Sequence, residues 1–329
     1  MRSIGTRTRK AAAVTAALAL LTGGCALGAD SDAGSSQKAA PGSLAKLASL
    51  KGVKVTVGSK EFTEQLILCE ITAQALQSAG ATVQRKCGLS GSDTTRKALT
   101  SGNIDMYWEY TGTAWISYLK HTKPVAGADA QYKAVADEDK AKNKIVWLDR
   151  APFNNTYAIA ASGKVAQRTG VTSLSAYAKL AKSKPADASL CVNGEFSSRD
   201  DGLPGVQKAY GFKLPASSVK TLEEGAIYNA IGKSDPCNFG MVATTDGRIK
   251  GLKLTVLKDD KAFFPVYNPA VNIREQVLDA HPGIAKVLNP IAKSLDTDLM
   301  QSLNTQVDVK GLRPPETATK WLKSKGFIG

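Results

Sequence analysis

The chain has 329 residues, of which 43% are apolar and 22% charged, and its formal net charge is +14. This composition predicts a packed core in one large or two medium domains. Lys and Arg are mixed with Asp and Glu along most of the chain and form no basic block with interleaved aromatic residues. A solvated basic surface is therefore favoured over nucleic-acid binding.

The N-terminus has the pattern of an export signal. A basic segment ends at Lys10, and the apolar run Ala11–Leu21 is shorter than the roughly 20 residues that a membrane-spanning helix needs. We therefore predict a signal peptide over residues 1–24. The sequence Leu-Thr-Gly-Gly before Cys25 resembles a lipobox, which predicts lipidation of Cys25. An ordinary secretory signal with a chance cysteine is the alternative.

A tether is predicted to follow the lipidated cysteine. Residues 28–44 are mostly Ala, Gly, Ser, Asp and Gln, a composition that buries little apolar surface. We assign residues 25–51 to this lipidated tether and expect the folded part to begin near Val53. The expected location is the extracytoplasmic face of the cell membrane.

The first elements after the tether alternate between strand and helix. Val53–Val57 alternates apolar and polar residues as a strand does, and Thr63 is placed to cap a helix that Gly80 ends. A second strand over 81–86 and a second helix over 93–100 follow. The order β-α-β-α predicts an α/β fold with a largely parallel sheet.

The rest of the chain continues this alternation. Residues 124–143 are rich in Ala, Asp and Lys and predict an exposed helical excursion, and no internal repeat is present. Further strands are predicted at Ile145–Leu148, Tyr157–Ala161, Leu190–Val192, Phe239–Val242 and Leu252–Leu257, and further helices at Thr172–Lys182, Gly202–Tyr210 and Glu316–Lys325.

Four cysteines remain after Cys25, an even number that favours disulfides in an oxidising compartment. Of the three possible connectivities we predict Cys69–Cys87 with Cys191–Cys237, because each pair falls inside one predicted domain. A zinc site is the disfavoured alternative, since no C-x-x-C spacing occurs and both histidines lie far from every cysteine. No metal and no cofactor are expected.

Catalytic patterns are weak. Neither His121 nor His281 has a nearby Ser or Cys arranged as a nucleophile pair, and no Gly-rich phosphate loop or H-E-x-x-H spacing occurs. This favours a binding protein over an enzyme.

Several ordered motifs resemble one family. The segments Gly58–Gln65 and Gly102–Thr113 are similar to the two signatures of the OpuAC-type glycine betaine/choline/carnitine-binding proteins. Further matches follow in the family's order, and the resemblance covers essentially all of residues 52–329. These matches are Asn155–Ala158, Glu195-Phe196 with Arg199-Asp200 and Gly202, Thr245–Ile249, Asp259-Asp260, Phe264-Pro265 and Tyr267.

The resemblance implies a type II periplasmic-binding fold. In this fold two α/β domains are joined by a hinge of crossover strands, and closure traps the ligand in the cleft between them. Lobe 1 would combine residues 52–155 with 250–329, and lobe 2 would be residues 156–249.

The resemblance also implies a ligand site. A trimethylammonium group cannot donate hydrogen bonds, and aromatic faces attract its charge. Tyr110, Tyr157 and Tyr267 match the family's tyrosine cage, whereas Ala243 stands where relatives often have Tyr.

Polar residues are implied for the other end of a carboxylated ligand. Lys60 and Thr113 match carboxylate-binding positions, and Asn155 stands where some relatives have Asp. Arg199 could clamp a carboxylate in a bidentate manner. An ion pair of Arg199 with Glu195 or Asp200 is the alternative.

The sequence thus predicts a monomeric binding lipoprotein without catalytic activity. It would capture a quaternary-ammonium compound such as glycine betaine or choline and deliver it to the membrane permease of an ABC importer. Ergothioneine, carnitine or proline betaine are alternative ligands. An extracellular enzyme, a sensor or a structural adhesin are alternatives of other classes.

Overall fold

A computed structural model describes residues 39–329 of the chain. The predicted signal peptide, the lipidation at Cys25 and the first part of the tether lie outside the described residues. The strands of the described part are β1 (Lys54–Lys60), β2 (Thr82–Leu89), β3 (Met106–Tyr110), β4 (Ile145–Arg150), β5 (Tyr157–Ser162), β6 (Leu190–Val192), β7 (Val219–Thr221), β8 (Phe239–Ala243), β9 (Leu254–Val256) and β10 (Pro269–Arg274).

Helices cover both sheets. They are α1 (Thr63–Ser78), α2 (Ser92–Thr100), α3 (Thr111–Thr113), α4 (Ala128–Asn143), α5 (Gly163–Thr169), α6 (Leu174–Ser183), α7 (Gly194–Ser198), α8 (Leu203–Tyr210), α9 (Glu224–Lys233), α10 (Gly247–Gly251), α11 (Glu275–Ala280), α12 (Gly283–Lys293), α13 (Thr297–Asp308) and α14 (Pro314–Ser324). Within residues 39–329, none of these helices has the length and apolar character needed to cross a bilayer.

The strands form two five-stranded sheets, each the centre of one lobe. The first sheet has the order β2-β1-β3-β10-β4 and the second the order β7-β6-β8-β5-β9. The two-lobed α/β fold is thereby confirmed. The expectation of a largely parallel sheet is wrong, because β10 is antiparallel to both β3 and β4, and β5 is antiparallel to both β8 and β9. These two strands follow the segments by which the chain crosses between lobes, and they enter their sheets in the opposite direction.

Two crossover segments, residues 151–156 and 257–268, join the lobes. Because β9 pairs with β5 in the second sheet, the chain returns to the first sheet only at β10. The return therefore falls between residues 256 and 269, later than the predicted boundary at 250. The boundary at 250 was implied by the family resemblance; the sequence pattern predicted the strand at Leu252–Leu257 but does not show which sheet that strand joins.

Helix α1 fills the core of the first lobe through Ile67 and Ile71, which pack with Val55 and Val57 of β1. It begins at Thr63, but Thr63 does not cap it. The N-cap is Phe62, and the Thr63 hydroxyl donates instead to Asp308 at 2.6 Å.

Residues 39–51 are part of the fold and not of a free tether, which corrects the predicted boundary. Leu44 and Leu50 are 1% and 2% exposed and belong to the first lobe's core. The Ser43 amide donates to the carbonyl of Gly326 at 2.9 Å, and the Gly329 amide donates to the carbonyl of Ala40 at 3.0 Å. The Ala- and Ser-rich composition of this segment predicts a tether and does not reveal that two leucines anchor the segment to the core.

Helix α4 occupies the predicted helical excursion, but one of its faces is covered. Asp139 is fully buried, pairs with Arg96 and accepts a hydrogen bond from Trp147 Nε1 at 2.8 Å. The helix is therefore anchored to the first lobe and is not simply an exposed excursion.

Both predicted disulfides are present. Cys69–Cys87 links α1 to β2 in the first lobe, and Cys191–Cys237 links β6 to the segment before β8 in the second lobe. Each bridge stays within one lobe and leaves the lobes free to move relative to each other.

Candidate ligand-binding cleft

A cavity of about 60 Å³ lies where the two lobes meet. Its walls come from the carboxyl ends of parallel strands in both sheets, which is the usual ligand position in open α/β sheets. Six of the seven residues predicted to bind ligand line it. They are Lys60, Tyr110, Thr113, Asn155, Tyr157 and Tyr267.

The three tyrosines supply the aromatic part of the wall. Tyr110 ends β3, Tyr157 begins β5, and Tyr267 lies in the second crossover segment. The rings of Tyr157 and Tyr267 are 5.5 Å apart between centroids at 66°, and Phe196 packs edge-on against Tyr157 at 5.2 Å. Burial raises the pKa of all three phenols above the ordinary value, so the rings stay neutral at physiological pH.

Hydrogen bonds fix two of these rings. The Tyr110 hydroxyl donates to Glu64 at 2.8 Å, and the Tyr267 hydroxyl donates to Asp201 at 2.6 Å. Both side chains are 3% exposed. Their faces are thus held in place before any ligand arrives, which lowers the entropic cost of binding.

Glu64 lies beneath Tyr110 and accepts hydrogen bonds from residues of both lobes. Besides Tyr110 it accepts hydrogen bonds from Asn155 at 3.0 Å, Thr245 at 2.5 Å and Asn304 at 3.1 Å. Burial raises the pKa of Glu64, although these four donors work against the rise. The predicted ligand residue Asn155 is held by this network through its side-chain nitrogen.

Lys60 is buried at the end of β1 and already has an ionic partner. Its ammonium lies 2.7 Å from Glu109 and 5.3 Å from the Tyr110 ring centroid. Glu109 also accepts hydrogen bonds from Tyr107 and Tyr118, each at 2.8 Å. The Lys60 charge is therefore compensated inside the protein.

Arg199 is the one predicted ligand residue that does not line the cavity. It borders a neighbouring inter-lobe groove of about 500 Å³, and its guanidinium lies 5.6 Å from the Tyr157 ring centroid. Its bidentate partner is Asp201, with distances of 2.7 and 2.5 Å, and it also pairs with Glu195 at 3.0 Å. Arg199 Nη2 further donates to Thr113 Oγ1 at 3.4 Å, which is a contact across the lobes.

Glu195 closes the cleft from the second lobe. It accepts hydrogen bonds from the Ser92 amide at 2.5 Å and the Ser92 hydroxyl at 3.0 Å, at the N-terminus of α2. Burial opposes ionisation of Glu195, but Lys60, Arg199 and the Ser92 donors together lower its pKa. The sequence motif contained Glu195 without assigning it to the cavity.

Glu224 is a further cavity residue that the sequence analysis missed. It begins α9, three residues after the end of β7, and its Oε2 accepts a hydrogen bond from Asn193 Nδ2 at 2.9 Å. Burial, with a further contribution from Asp246, raises the pKa of Glu224 to about 7. Its location soon after the end of a strand could have identified it as a site residue. However, β7 has only three residues, and these show no pattern that predicts a strand.

The cavity is thus an aromatic pocket with carboxylates in its wall. Among residues 39–329, no group of three or more His, Cys, Asp or Glu side chains is arranged to hold a metal ion. The arrangement can hold a cation against ring faces, and the lobes can trap it by closing.

Comparisons with known proteins agree with this geometry. Residues 53–324 match the OpuAC family model, described as the substrate-binding domain of an ABC-type glycine betaine transport system. The chain is 40% identical over 277 residues to the glycine-betaine-binding protein of Pseudomonas aeruginosa, covering 83% of this chain and 88% of that protein.

Two further matches extend this result. The chain is 32% identical over 274 residues to the ergothioneine transport permease/ergothioneine binding protein EgtU of Helicobacter pylori, covering 83% of this chain and 48% of that protein. The solved structure of apo YehZ from Escherichia coli matches with a TM-score of 0.61 at 35% identity, covering 84% of this chain and 99% of that chain. This structural match also supports the predicted fold class.

Proposed function

Because the chain belongs to the OpuAC family of substrate-binding domains of ABC-type glycine betaine transport systems, we propose that it captures a quaternary-ammonium compound outside the cytoplasm for delivery to an ABC importer. The observation that carries the proposal is that Tyr110, Tyr157 and Tyr267 line one cavity between two lobes. Glycine betaine and choline are the first ligands to test.

The physical basis is attraction between a diffuse cation and ring faces. A quaternary ammonium offers no hydrogen-bond donor, so water and polar residues compete weakly for it in an aromatic pocket. Each favourable desolvated ring contributes about 2 kcal/mol. In this proposal Lys60, Thr113 and Asn155 surround the ligand, and Arg199 supports the Tyr157 ring and links the lobes.

Binding without chemistry is part of the proposal. The lobes would open and close about the crossover segments 151–156 and 257–268, and the closed form would dock on the permease. We propose that the protein acts as a monomer, is not an enzyme, and is tethered to the membrane by a lipid on Cys25.

A second ligand class is favoured by Ala243. This residue ends β8 and lines the cavity with a methyl group where a ring could have stood. The space suits a quaternary amine that is larger than glycine betaine, such as carnitine, proline betaine or ergothioneine. The 32% identity to a relative named for ergothioneine supports including that compound in every ligand panel.

The test is a thermal-shift panel of choline, glycine betaine, carnitine, proline betaine, ergothioneine and, as a control without a quaternary nitrogen, proline. A ligand at 100 times its Kd should stabilise the protein by about 2.7 kcal/mol. We expect at least one quaternary amine to do so and proline not to. A panel in which no quaternary amine shifts the Tm would contradict the proposed function.

The matching mutational prediction concerns Tyr157. Tyr157→Ala removes one face of the pocket and should weaken binding of the best ligand at least 30-fold, corresponding to about 2 kcal/mol for one ring. Tyr157→Phe is the matched control, because it keeps the ring and should retain most of the affinity. Isothermal titration calorimetry measures both. Equal losses in the two variants would show that the hydroxyl, and not the ring face, carries the interaction.

A further inference from the structure

The cationic side chains around the cavity are paired with protein carboxylates. Lys60 is paired with Glu109, and the Arg199 guanidinium is held by Asp201 and Glu195. These two cations lie near the Tyr110 and Tyr157 rings, and each is already bound to a protein carboxylate. A carboxylated ligand would have to displace one of these pairs.

Glu224, unlike these paired cations, has a carboxylate oxygen that no group in the described part of the chain uses. From residues 39–329 it receives one side-chain hydrogen bond, from Asn193 to Oε2, while its Oε1 accepts none. The side chain lines the same cavity as the tyrosine rings. Its Oε1 is therefore a free acceptor beside the aromatic pocket.

The groups that face Glu224 do not neutralise it fully. From α7 and the residue before it come Glu195 and Asn193, and from α10 and its N-cap come Arg248 and Asp246. Arg248 is bound by Asp246 through both carboxylate oxygens, at 2.9 and 2.5 Å. The charge of Arg248 is thus compensated by Asp246, and that of Glu195 by Arg199 and Lys60, so these groups leave Glu224 without a counterion of its own, and this end of the cavity favours positive charge.

Ala243 leaves this acidic wall uncovered. Its methyl group lines the cavity with Glu224 and offers neither a ring nor a donor. A ligand whose ammonium lies on the tyrosine rings would meet Glu224 with its other end. A hydroxyl could donate to Oε1, whereas a ligand carboxylate would meet two protein carboxylates in a desolvated space, where like charges repel strongly.

We propose that Glu224 is a specificity-determining residue that selects quaternary amines bearing a hydrogen-bond donor and no carboxylate over zwitterionic betaines. The proposal rests on the proposed function, since it assumes that the tyrosine rings hold the ammonium. Choline and glycine betaine are suitable probes, because they share the trimethylammonium group and differ at the other end.

The experiment is calorimetric titration of the purified protein with each probe at pH 8, where Glu224 is ionised. Wild type should bind choline more tightly than glycine betaine. Glu224→Gln should weaken choline about tenfold, because a charge-assisted hydrogen bond is replaced by a neutral one, and should leave glycine betaine unchanged or tighter. Glu223→Gln is the matched control, because Glu223 is the exposed neighbour and should change neither affinity.

A second measurement needs no variant. Choline and glycine betaine keep their charges between pH 6 and pH 8, whereas Glu224 ionises with a pKa of about 7. The ratio of choline to glycine betaine affinity in the wild type should therefore rise severalfold over that interval, and in Glu224→Gln it should stay flat.

The outcomes separate the two proposals. If Glu224→Gln changes both affinities by the same factor, or leaves their ratio unchanged at both pH values, the selection by Glu224 is wrong while the proposed function stands. If the wild type binds no quaternary amine at all, the proposed function fails and the selection fails with it.

Discussion

At the residue scale, the site concentrates carboxylates that are costly to ionise. Glu64 is buried beneath Tyr110, and Glu224 is half-buried in the cavity wall; burial raises the pKa of both. Groups of this kind lower stability and are typical of functional sites. In this cleft a bound cation would offset the cost, because it would stabilise the ionised form of Glu224.

The cost at Glu224 predicts a pH-dependent stability effect. The ordinary pKa of 4.5 rises to about 7 in the folded state. Between these values the folded protein holds a proton that the unfolded chain releases, so stability falls as pH rises through this window. Glu224→Gln avoids the penalty, and without ligand it should be more stable than wild type by about 1–3 kcal/mol at pH 8 and nearly equal at pH 4.5.

Urea denaturation of both proteins at the two pH values measures this difference. Glu223→Gln serves as the exposed control and should follow the wild type at both. A stability difference between Glu224→Gln and wild type that is the same at pH 4.5 and pH 8 would show that Glu224 titrates normally in the fold.

At the element scale, the side chains of the site stand at or just after the ends of strands. The disulfides stabilise the strands and helices that carry these side chains. Lys60 and Tyr110 stand at the carboxyl ends of β1 and β3, Glu195 and Glu224 lie just after β6 and β7, and Ala243 ends β8. The bridge Cys191–Cys237 ties β6 to the segment that leads into β8. Stability of the second lobe's wall therefore depends on this bridge.

The disulfide that closes the longer loop should contribute more stability, although the contribution grows only with the logarithm of loop length. Their sequence separations are 18 and 46 residues, which correspond to about 3 and about 4 kcal/mol in the chain-entropy model. The double variant Cys191→Ala/Cys237→Ala should therefore lose more stability than Cys69→Ala/Cys87→Ala. Reversible urea denaturation of both variants and the wild type gives the comparison. The reverse order would mean that strain or residual unfolded structure, and not loop closure, sets the contributions.

Much of the arrangement of strands and helices could be predicted from the sequence. The alternation at Val53–Val57 and the stop at Gly80 located β1 and the end of α1, and the family motifs placed six residues around one cavity. Strand β7 was missed, because its three residues Val219–Thr221 are largely exposed and form no apolar run, whereas the equally short β6 is an apolar, buried run and was predicted. Glu224 was missed for the same reason, since its importance comes from the strand it follows. The alternative ion pair of Arg199 with Glu195 is present, but its bidentate partner is Asp201 and not Asp200, because side-chain geometry and not spacing along the chain decides between these neighbours.

At the scale of the whole molecule, the cleft is held together by polar contacts between lobes. Glu195 bridges to Ser92, Arg199 reaches Thr113, and Glu64 accepts a hydrogen bond from Thr245. Further polar contacts join the second lobe to α13, among them Asn304 donating to the Thr245 carbonyl and Arg248 facing Asp308. Polar contacts of this kind are expected for an interface that must open to exchange a ligand. The apolar cores, by contrast, are separate clusters within each lobe.

The central claim is that ring faces in this cleft attract a cation that cannot hydrogen-bond. The most direct measurement compares choline with 3,3-dimethyl-1-butanol, its neutral carbon isostere, by calorimetric titration of the wild type and of Glu224→Gln. With about 2 kcal/mol from each favourable ring, choline should bind at least 30-fold more tightly than the isostere, even without the Glu224 charge. Equal affinities of the two compounds in Glu224→Gln would contradict the account, because shape and apolar burial alone would then explain binding.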